Sequence, residues 1–320
     1  MTTKQFLQAL GYNRHVKKLL RSLHEHHLLT DKQFLSIKFL LKDGRRINWK
    51  NPKSFREKCN WLKLYDQRPE YTTLVDKVKV KEWAAGIIGD EYIIPTLAVW
   101  DRPEDVDFSV LPSRYVLKCN HTTGGNYIHT TEDEPDKEAV LALLKRKFAD
   151  KPFYRICEWP YKNVEKKILA EAYIDDPDNA RLIDYKFYCF NGVPHYIQIN
   201  SHSTHEVFSD NRNDRIRDYQ GFYDMEWNKQ EFTQEFPYHN DVYTPKPENF
   251  DKMAELAVKL SKGIPFVRVD FYNIKGKIYL GEMTLYPYGG IGAIRPEKWD
   301  FILGDLLELD LNHKIVEKKR

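Results

Sequence analysis

The 320 residues carry 50 Lys and Arg against 47 Asp and Glu, are 42% hydrophobic and 14% aromatic, and have a mean hydropathy of -0.64. A chain of this length and composition buries a sizeable core, which excludes disorder as its main state. Its longest apolar run, residues 139–144, is far short of the roughly 18 residues that cross a bilayer, which excludes a helical membrane span.

The charge is unevenly placed. Residues 1–70 hold 16 Lys and Arg against 6 Asp and Glu, a net of +10, and the other 250 residues hold 34 against 41, a net of -7. Phe6, Leu7, Leu10, Val16, Leu19, Leu20 and Leu23 recur at helical spacing with Lys17, Lys18 and Arg21 between them, which predicts a basic first helix. His24, His26 and His27 then read as surface residues at its C-terminal end. Residues 6–10 are broken by Gln8 and followed by Asn13 and Arg14, so they lack the apolar stretch of a leader, and a cytoplasmic protein is expected. A second helix is expected over 34–41, capped by Thr30 or Asp31 and stopped by Gly44, and a third after Pro52 through Phe55, Trp61 and Leu64. Such a module suits an acidic glycan, an anionic membrane surface or nucleic acid; it also reads as a solvated helical face.

From residue 71 strands alternate with helices. A helix is predicted over 78–88, an extended segment over 92–99, and a strand over 114–119 that enters the loop 121–126. Residues 136–148 form the clearest amphipathic helix. Strands follow at 167–174 and 182–190, then a turn at Asn191-Gly192, whose residue types favour a tight hairpin, and a strand at 194–199. The stretch 201–249 is polar, aromatic and rich in turn residues, and its pattern fixes no element. A helix over 249–262 ends at Gly263 and Pro265, and a last hairpin pairs 266–272 with 277–285. Hairpins and helices in this order imply α+β packing. The four cysteines, Cys59, Cys119, Cys157 and Cys189, contain no C-x-x-C pair and are expected to be buried, reduced thiols.

The last hairpin holds the clearest chemistry. With a five-residue loop at 273–277, Arg268 falls opposite Glu282 and Asp270 opposite Leu280, so that Arg268, Asp270, Glu282 and Thr284 share one face, with the two carboxylates diagonal neighbours. Such a pair can close on a hard divalent cation; alone, the hairpin also reads as a solvent-facing edge with a salt bridge. Lys118 ends a strand before the loop NHTTGGN, whose Gly124 and Gly125 allow backbone N–H groups to approach an anion. That loop lacks the Lys-Ser/Thr ending and the helix of a Walker A motif, so it is not a P-loop. His121, three residues after Lys118, suits either orientation of an acceptor or phosphoryl oxygen or a hydrogen bond that steadies the loop. His202 and His205, with Arg212 and Arg215, suit acceptor binding better than a metal.

Taken in order, NPKSFREKCNWLKLYD, DKVKVKEW, IIPTLAVWD, YVLKCNHTTGGN, ILAEAYID, DYKFYCFNG and VRVDFYNIKGKIYLGEMTLYPYGG resemble the TupA-like ATP-grasp proteins of bacterial polysaccharide gene clusters, often described as glycosyltransferases. The resemblance spans about residues 48–310. It implies an ATP-grasp fold, two α+β subdomains gripping ATP: a basic helical region over 1–70, an ATP-grasp domain over 71–312 with nucleotide-gripping strands at about 114–174 and a metal-binding subdomain at about 180–310, and a charged tail over 313–320.

It further implies ATP and Mg2+ as cofactors, with Lys77 and Lys118 on the α- and β-phosphates. Glu171 with the backbone of Ala172 and Tyr173 would be at adenine, Lys186 at the triphosphate and Arg268 beside the transferred phosphoryl group. Asp270 and Glu282 resemble the metal ligands, and Thr284 stands where the family usually has Asn. Asp175, Asp176 and Asp178 all compete to be the ribose acid. The implied reaction is ATP-dependent carboxylate–amine ligation through an acylphosphate, joining an amino acid or amine to a uronic acid. The implied partners are a sugar or uronic-acid acceptor, an amine, and a lipid-linked glycan at the membrane surface; no nucleic-acid partner is expected. Glycosyl transfer is the competing reading, although Glu104, Asp105 and Asp107 lie in a Pro-led loop and make a poor acidic nucleotide-sugar signature. A polyanion-binding module built on the basic N-terminus is the third.

Overall fold

The computed structural model describes residues 2–122, 124–174, 181–203, 219–235 and 244–316. In place of one first helix there are two, α1 (Thr3–Tyr12) and α2 (Arg14–Glu25). Asn13 causes the break: its backbone is extended, and its side chain accepts from His15 N at 2.9 Å and Val16 N at 3.3 Å, capping α2. Helix α3 (Asp31–Asp43) starts from Thr30 in a capping box with Gln33 and stops at Gly44, whose φ of 81° closes the helix in the left-handed region. His24 is not at the surface. It is 2% exposed, stacked on Phe34 with centroids 4.2 Å apart, its Nε2 2.8 Å from Asp31 Oδ1. After α4 (Phe55–Tyr65) come α5 (Glu70–Val75) and α6 (Lys79–Ile88).

The first sheet uses β1 (Thr96–Trp100), β2 (Tyr115–Cys119), β3 (Tyr127–His129) and β4 (Ile168–Ala172), in the antiparallel order β1-β4-β2-β3; α7 (Lys137–Phe148) and α8 (Pro152–Ile156) fall between β3 and β4 in the chain. Strand alternation decides what faces what. Tyr115, Leu117 and Cys119 turn to Val140 and Leu144 of α7, so Lys118 must turn to the other face.

The second sheet contains β5 (Arg181–Phe190), β6 (Val193–Ser203), β7 (Tyr219–Asp224) and β8 (Lys229–Gln230), and further along the chain, after β9 (Thr233–Gln234) and α9 (Phe250–Ser261), β10 (Phe266–Ile274) and β11 (Lys277–Thr284). Its order is β11-β10-β5-β6-β7-β8, all antiparallel. Strands β7, β8 and β9 lie in the stretch whose pattern fixed no element. Asn191 and Gly192, at φ of 49° and 83°, make the expected two-residue turn between β5 and β6. One face of the sheet, with Phe187, Cys189, Ile197, Val267, Val269 and Phe271, buries against α9 in the main core. The opposite face carries the charged and carboxamide side chains, and at one end of it Phe190 and Phe266 pack on Phe55 of α4.

A short β12 (Ile294–Arg295) pairs with β9, and α10 (Lys298–Leu306) returns the chain to its first third. Asp300 of α10 accepts from Arg56 N and Nε, both at 3.0 Å, and Arg56 also reaches Asp43 at 2.5 Å. A Cβ on Gly304 would lie 2.1 Å from Lys53 O, so α10 sits directly on the start of α4. All four cysteines are free and buried, as expected.

Candidate functional site

The polar face of the larger sheet collects the charges. The hairpin register differs from the expected one, because the turn is the two residues Lys275 and Gly276, both at positive φ, and not five. Arg268 lies opposite Thr284, and Asp270 directly opposite Glu282. A bulge makes this possible. Phe271 pairs with Leu280 and Asp270 with Glu282, so Gly281 is the extra residue that keeps both acids on one face. The carboxylates are therefore direct cross-strand neighbours, closer than the diagonal pair inferred from spacing.

Asp270 is the hub. Its two oxygens each accept from Arg268, through Nε and Nη2, at 2.7 Å, and Lys186 Nζ adds a contact at 2.8 Å. Lys186 also reaches Asp184 at 2.8 Å, and Arg268 Nη2 reaches Thr284 Oγ1 at 3.1 Å. Burial opposes charge on both cations, but Asp184 and Asp270 raise Lys186, and Asp270 raises Arg268 well above its ordinary value. Glu282 accepts from Lys77 Nζ at 3.3 Å; burial pushes its carboxyl up, and Lys77, Arg268 and Lys186 more than reverse that. Asp270, Glu282 and Thr284 offer only oxygen donors, the set a hard cation such as Mg2+ prefers, so these residues fit the metal that the sequence motifs imply.

Lys77 connects the sheets. Besides Glu282 it donates to Thr122 O at 2.8 Å, in the loop that follows β2. Asn120 fixes that loop, donating to Asp76 Oδ1 at 2.9 Å and to Glu165 O at 2.8 Å. Lys118, next to last in β2, pairs with Glu171 of β4, which also holds Lys81 Nζ at 2.7 Å. Burial alone would raise Glu171, but Lys118 and Lys81 hold its carboxyl at about 2. Ala172 donates its N–H to Pro95 O at 3.0 Å, and the Tyr173 ring lies under the Arg114 guanidinium at 4.6 Å. Gly124 and Gly125 have φ of 70° and 71°, and a Cβ on Gly125 would collide with Lys147 Cε. His121 is buried against Phe148, neither ring nitrogen has a hydrogen-bond partner of good geometry among the described residues, and burial lowers its pKa to about 4. That keeps the ring uncharged at neutral pH.

Arg268, Lys186, Asp270, Glu282, Thr284 and Lys77 thus meet, and Lys118 meets Glu171. Asp175, Asp176, Asp178, His205, Arg212 and Arg215 lie outside the described residues; His202 is on β6 opposite Leu182. Glu104 and Asp105 lie in a 3-10 turn started by Pro103. Lys81, Asp184 and Glu158 were missed. Lys81 follows Lys77 by four residues across the start of α6, and Asp184 precedes Lys186 by two on the same strand face, so both had a spacing signal. Glu158 had none: it immediately precedes a 3-10 turn, and burial pushes its carboxyl up to about 7. Among the described residues His24, Asp31 and Cys157 also gather within 4.8 Å, but Asp31 is already paired with His24, and burial raises the Cys157 thiol.

No curated protein matches the sequence. Among solved structures, a D-alanine–D-alanine ligase from Bacillus anthracis complexed with ATP is 16% identical, with a TM-score of 0.38 over 73% of this chain and 63% of that one. The D-Ala:D-Ser ligase VanG from Enterococcus faecalis is 13% identical, with a TM-score of 0.42 over 88% and 66%. An L-amino acid ligase from Bacillus licheniformis is 10% identical, with a TM-score of 0.39 over 88% and 58%. The chain therefore spans about three fifths of the first and last of these proteins. The profile described as TupA-like ATPgrasp matches residues 57–308, most of the chain and every charged residue of the site, and the protein belongs to the TupA-like ATP-grasp family.

Proposed function

We propose that this protein is an ATP-dependent carboxylate–amine ligase of surface polysaccharide synthesis. The observation that carries the reading is the placement of Asp270 directly opposite Glu282, with Arg268, Lys186 and Lys77 converging on them. Phosphoryl transfer needs positioning and neutralisation of charge, and these side chains supply both. Lys77 and Lys118 bind the α- and β-phosphates, with Gly124 and Gly125 cradling them. Glu171, Ala172 and Tyr173 border the adenine. Lys186 and Arg268 steady the γ-phosphoryl group as it passes to the substrate carboxylate and ADP departs. Asp270, Glu282 and Thr284 would hold Mg2+, which neutralises phosphate charge when bound. An amine then attacks the acylphosphate, phosphate leaves, the amine loses a proton, and an amide remains. Neutral His121 borders the loop and orients an acceptor or phosphoryl oxygen.

The substrates in this reading are a uronic acid and an amino acid or amine. The basic N-terminal helices, which expose Phe6, Tyr12 and Leu19 beside Lys17 and Lys18, would bring the protein to a lipid-linked glycan on the cytoplasmic membrane surface. Among the described residues no helix is long and apolar enough to cross a membrane. The test supplies ATP, Mg2+, glucuronic acid and a mixture of amino acids. ADP and phosphate should appear in step with an amide found by mass spectrometry. Sugar transfer from a nucleotide sugar with no ATP present would replace ligation by glycosyl transfer.

A further inference from the structure

The polar face of the larger sheet has two halves. Arg268, Asp270, Lys186 and Asp184 fill the charged half. Gln198 pairs with Lys186, Asn200 with Asp184, and Gln220 with Asn200, so crossing from β5 to β7 the same face changes from ions to carboxamides. Gln234 of β9 and Tyr288 of the Pro287–Gly290 turn complete a cluster around Tyr188, which stands opposite Arg268. Gln198, Gln220, Gln234 and Tyr188 are all buried.

The hydrogen bonds of this cluster can be balanced almost completely. Gln198 Nε2 donates to Asn200 Oδ1 and to Tyr288 Oη, both at 2.9 Å, and Gln220 Nε2 donates to Tyr288 Oη at 2.8 Å. Tyr188 Oη lies 2.7 Å from both Gln198 Oε1 and Gln234 Oε1. A hydroxyl has one proton and can serve only one of these carbonyls. Turning the Gln234 carboxamide by a half rotation makes its nitrogen the donor to Tyr188 and removes the conflict. Among the described residues, Gln220 Oε1 and Gln234 Nε2 are the two buried atoms of this cluster without a partner. After that rotation both unpartnered atoms are carbonyl oxygens, and both require a donor.

We propose that this carboxamide cluster is a binding subsite for the hydroxyl groups of a polyhydroxylated acid, read by Gln220 and Gln234 while Arg268 borders its carboxylate. Phosphate and carboxylate offer no proton to two buried carbonyls and are excluded from this half. An ammonium group could donate, but among the described residues no carboxylate stands with the six amide and phenol groups to offset its burial. A hydroxyl is a donor without charge and satisfies the oxygens at no such cost. The assignment rests on the ligase reading for the identity of the neighbouring charged half, and it names the specificity residues of the acceptor.

Binding by isothermal calorimetry separates the two readings, using glucuronate, cyclohexanecarboxylate and cyclohexylamine as probes, each with and without Mg2+ and a non-hydrolysable ATP analogue. Wild type should bind glucuronate at least about tenfold tighter than cyclohexanecarboxylate, the size of a lost buried hydrogen bond. Gln220→Met should remove about that factor for glucuronate and leave the other acid and the nucleotide analogue unchanged. Equal affinity for the two acids in wild type, or tighter binding of the amine, overturns the subsite whether or not the variant folds. Failure to bind nucleotide would sink the ligase reading alone, because the glucuronate preference is also measured without nucleotide and decides the subsite by itself.

Discussion

Asp270→Asn and Glu282→Gln remove one negative charge each from neighbouring positions, yet the structure gives them different consequences for stability. Asp270 is 2% exposed and accepts from Arg268 twice and from Lys186 once, and both cations are themselves buried. Breaking a buried ion pair from one side costs about 3–5 kcal/mol. Asparagine keeps one acceptor, and Lys186 keeps Asp184, so the lower end, about 3 kcal/mol, is appropriate. For a chain of this size that lowers the melting temperature by about 6 °C. The Glu282 side chain is 35% exposed with a single 3.3 Å contact to Lys77, which is worth at most about 1 kcal/mol, or about 2 °C. Scanning calorimetry on the ligand-free proteins measures both. Equal melting temperatures for the two variants would refute the view that Asp270 is the electrostatic anchor of the sheet. Both variants should lose MgATP-dependent stabilisation, since both acids face the same cation position.

Glu171 has a pKa held at about 2, below its ordinary 4.5, so its contribution is fully present above about pH 5 and is lost as pH falls toward 2. That shift corresponds to about 3 kcal/mol, of which a part is returned because burial lowers Lys81 despite its pairing; urea unfolding of Glu171→Gln at pH 7 and pH 3 should show about 1–3 kcal/mol less acid sensitivity than wild type, and an identical pH dependence would count against the pairing. Lys118→Ala should weaken ATP binding at least about tenfold in calorimetry. Gly304→Ala should destabilise the fold by about 2 kcal/mol or more, because its Cβ meets the Lys53 carbonyl, while nucleotide affinity stays unchanged; a variant that unfolds at the wild-type urea concentration would show that α10 can move aside.

Local punctuation was readable where side chain and backbone agree. Thr30, Gly44 and Asn191-Gly192 each use the residue type that their backbone requires, and each appears where spacing placed it. The hairpin register was not readable, for two physical reasons: Lys275 carries a Cβ into positive φ, which its residue type does not advertise, and Gly281 adds a bulge that changes no hydrophobic pattern. The shared face of Arg268, Asp270, Glu282 and Thr284 survived that error, because a two-residue slip preserves alternation. The break at Asn13 was signalled by a good capping residue but masked by leucines that recur on both sides of it. His24 could not be placed from its neighbours, because what buries it is Phe34 and residues near 154, far along the chain.

The contact between α10 and α4 governs when this protein can finish folding. Arg56 leaves the ribosome early, but its carboxylate partner Asp300 is made 244 residues later, and Gln67 N bonds to Ile315 O at 2.7 Å. At roughly 5–20 residues per second of synthesis, α4 waits on the order of ten to fifty seconds with its buried face uncovered. Deletions that reach back past residue 300 should therefore leave a nascent chain that chaperones retain, whereas the four-stranded sheet, complete once β4 emerges, can close well before the end is made.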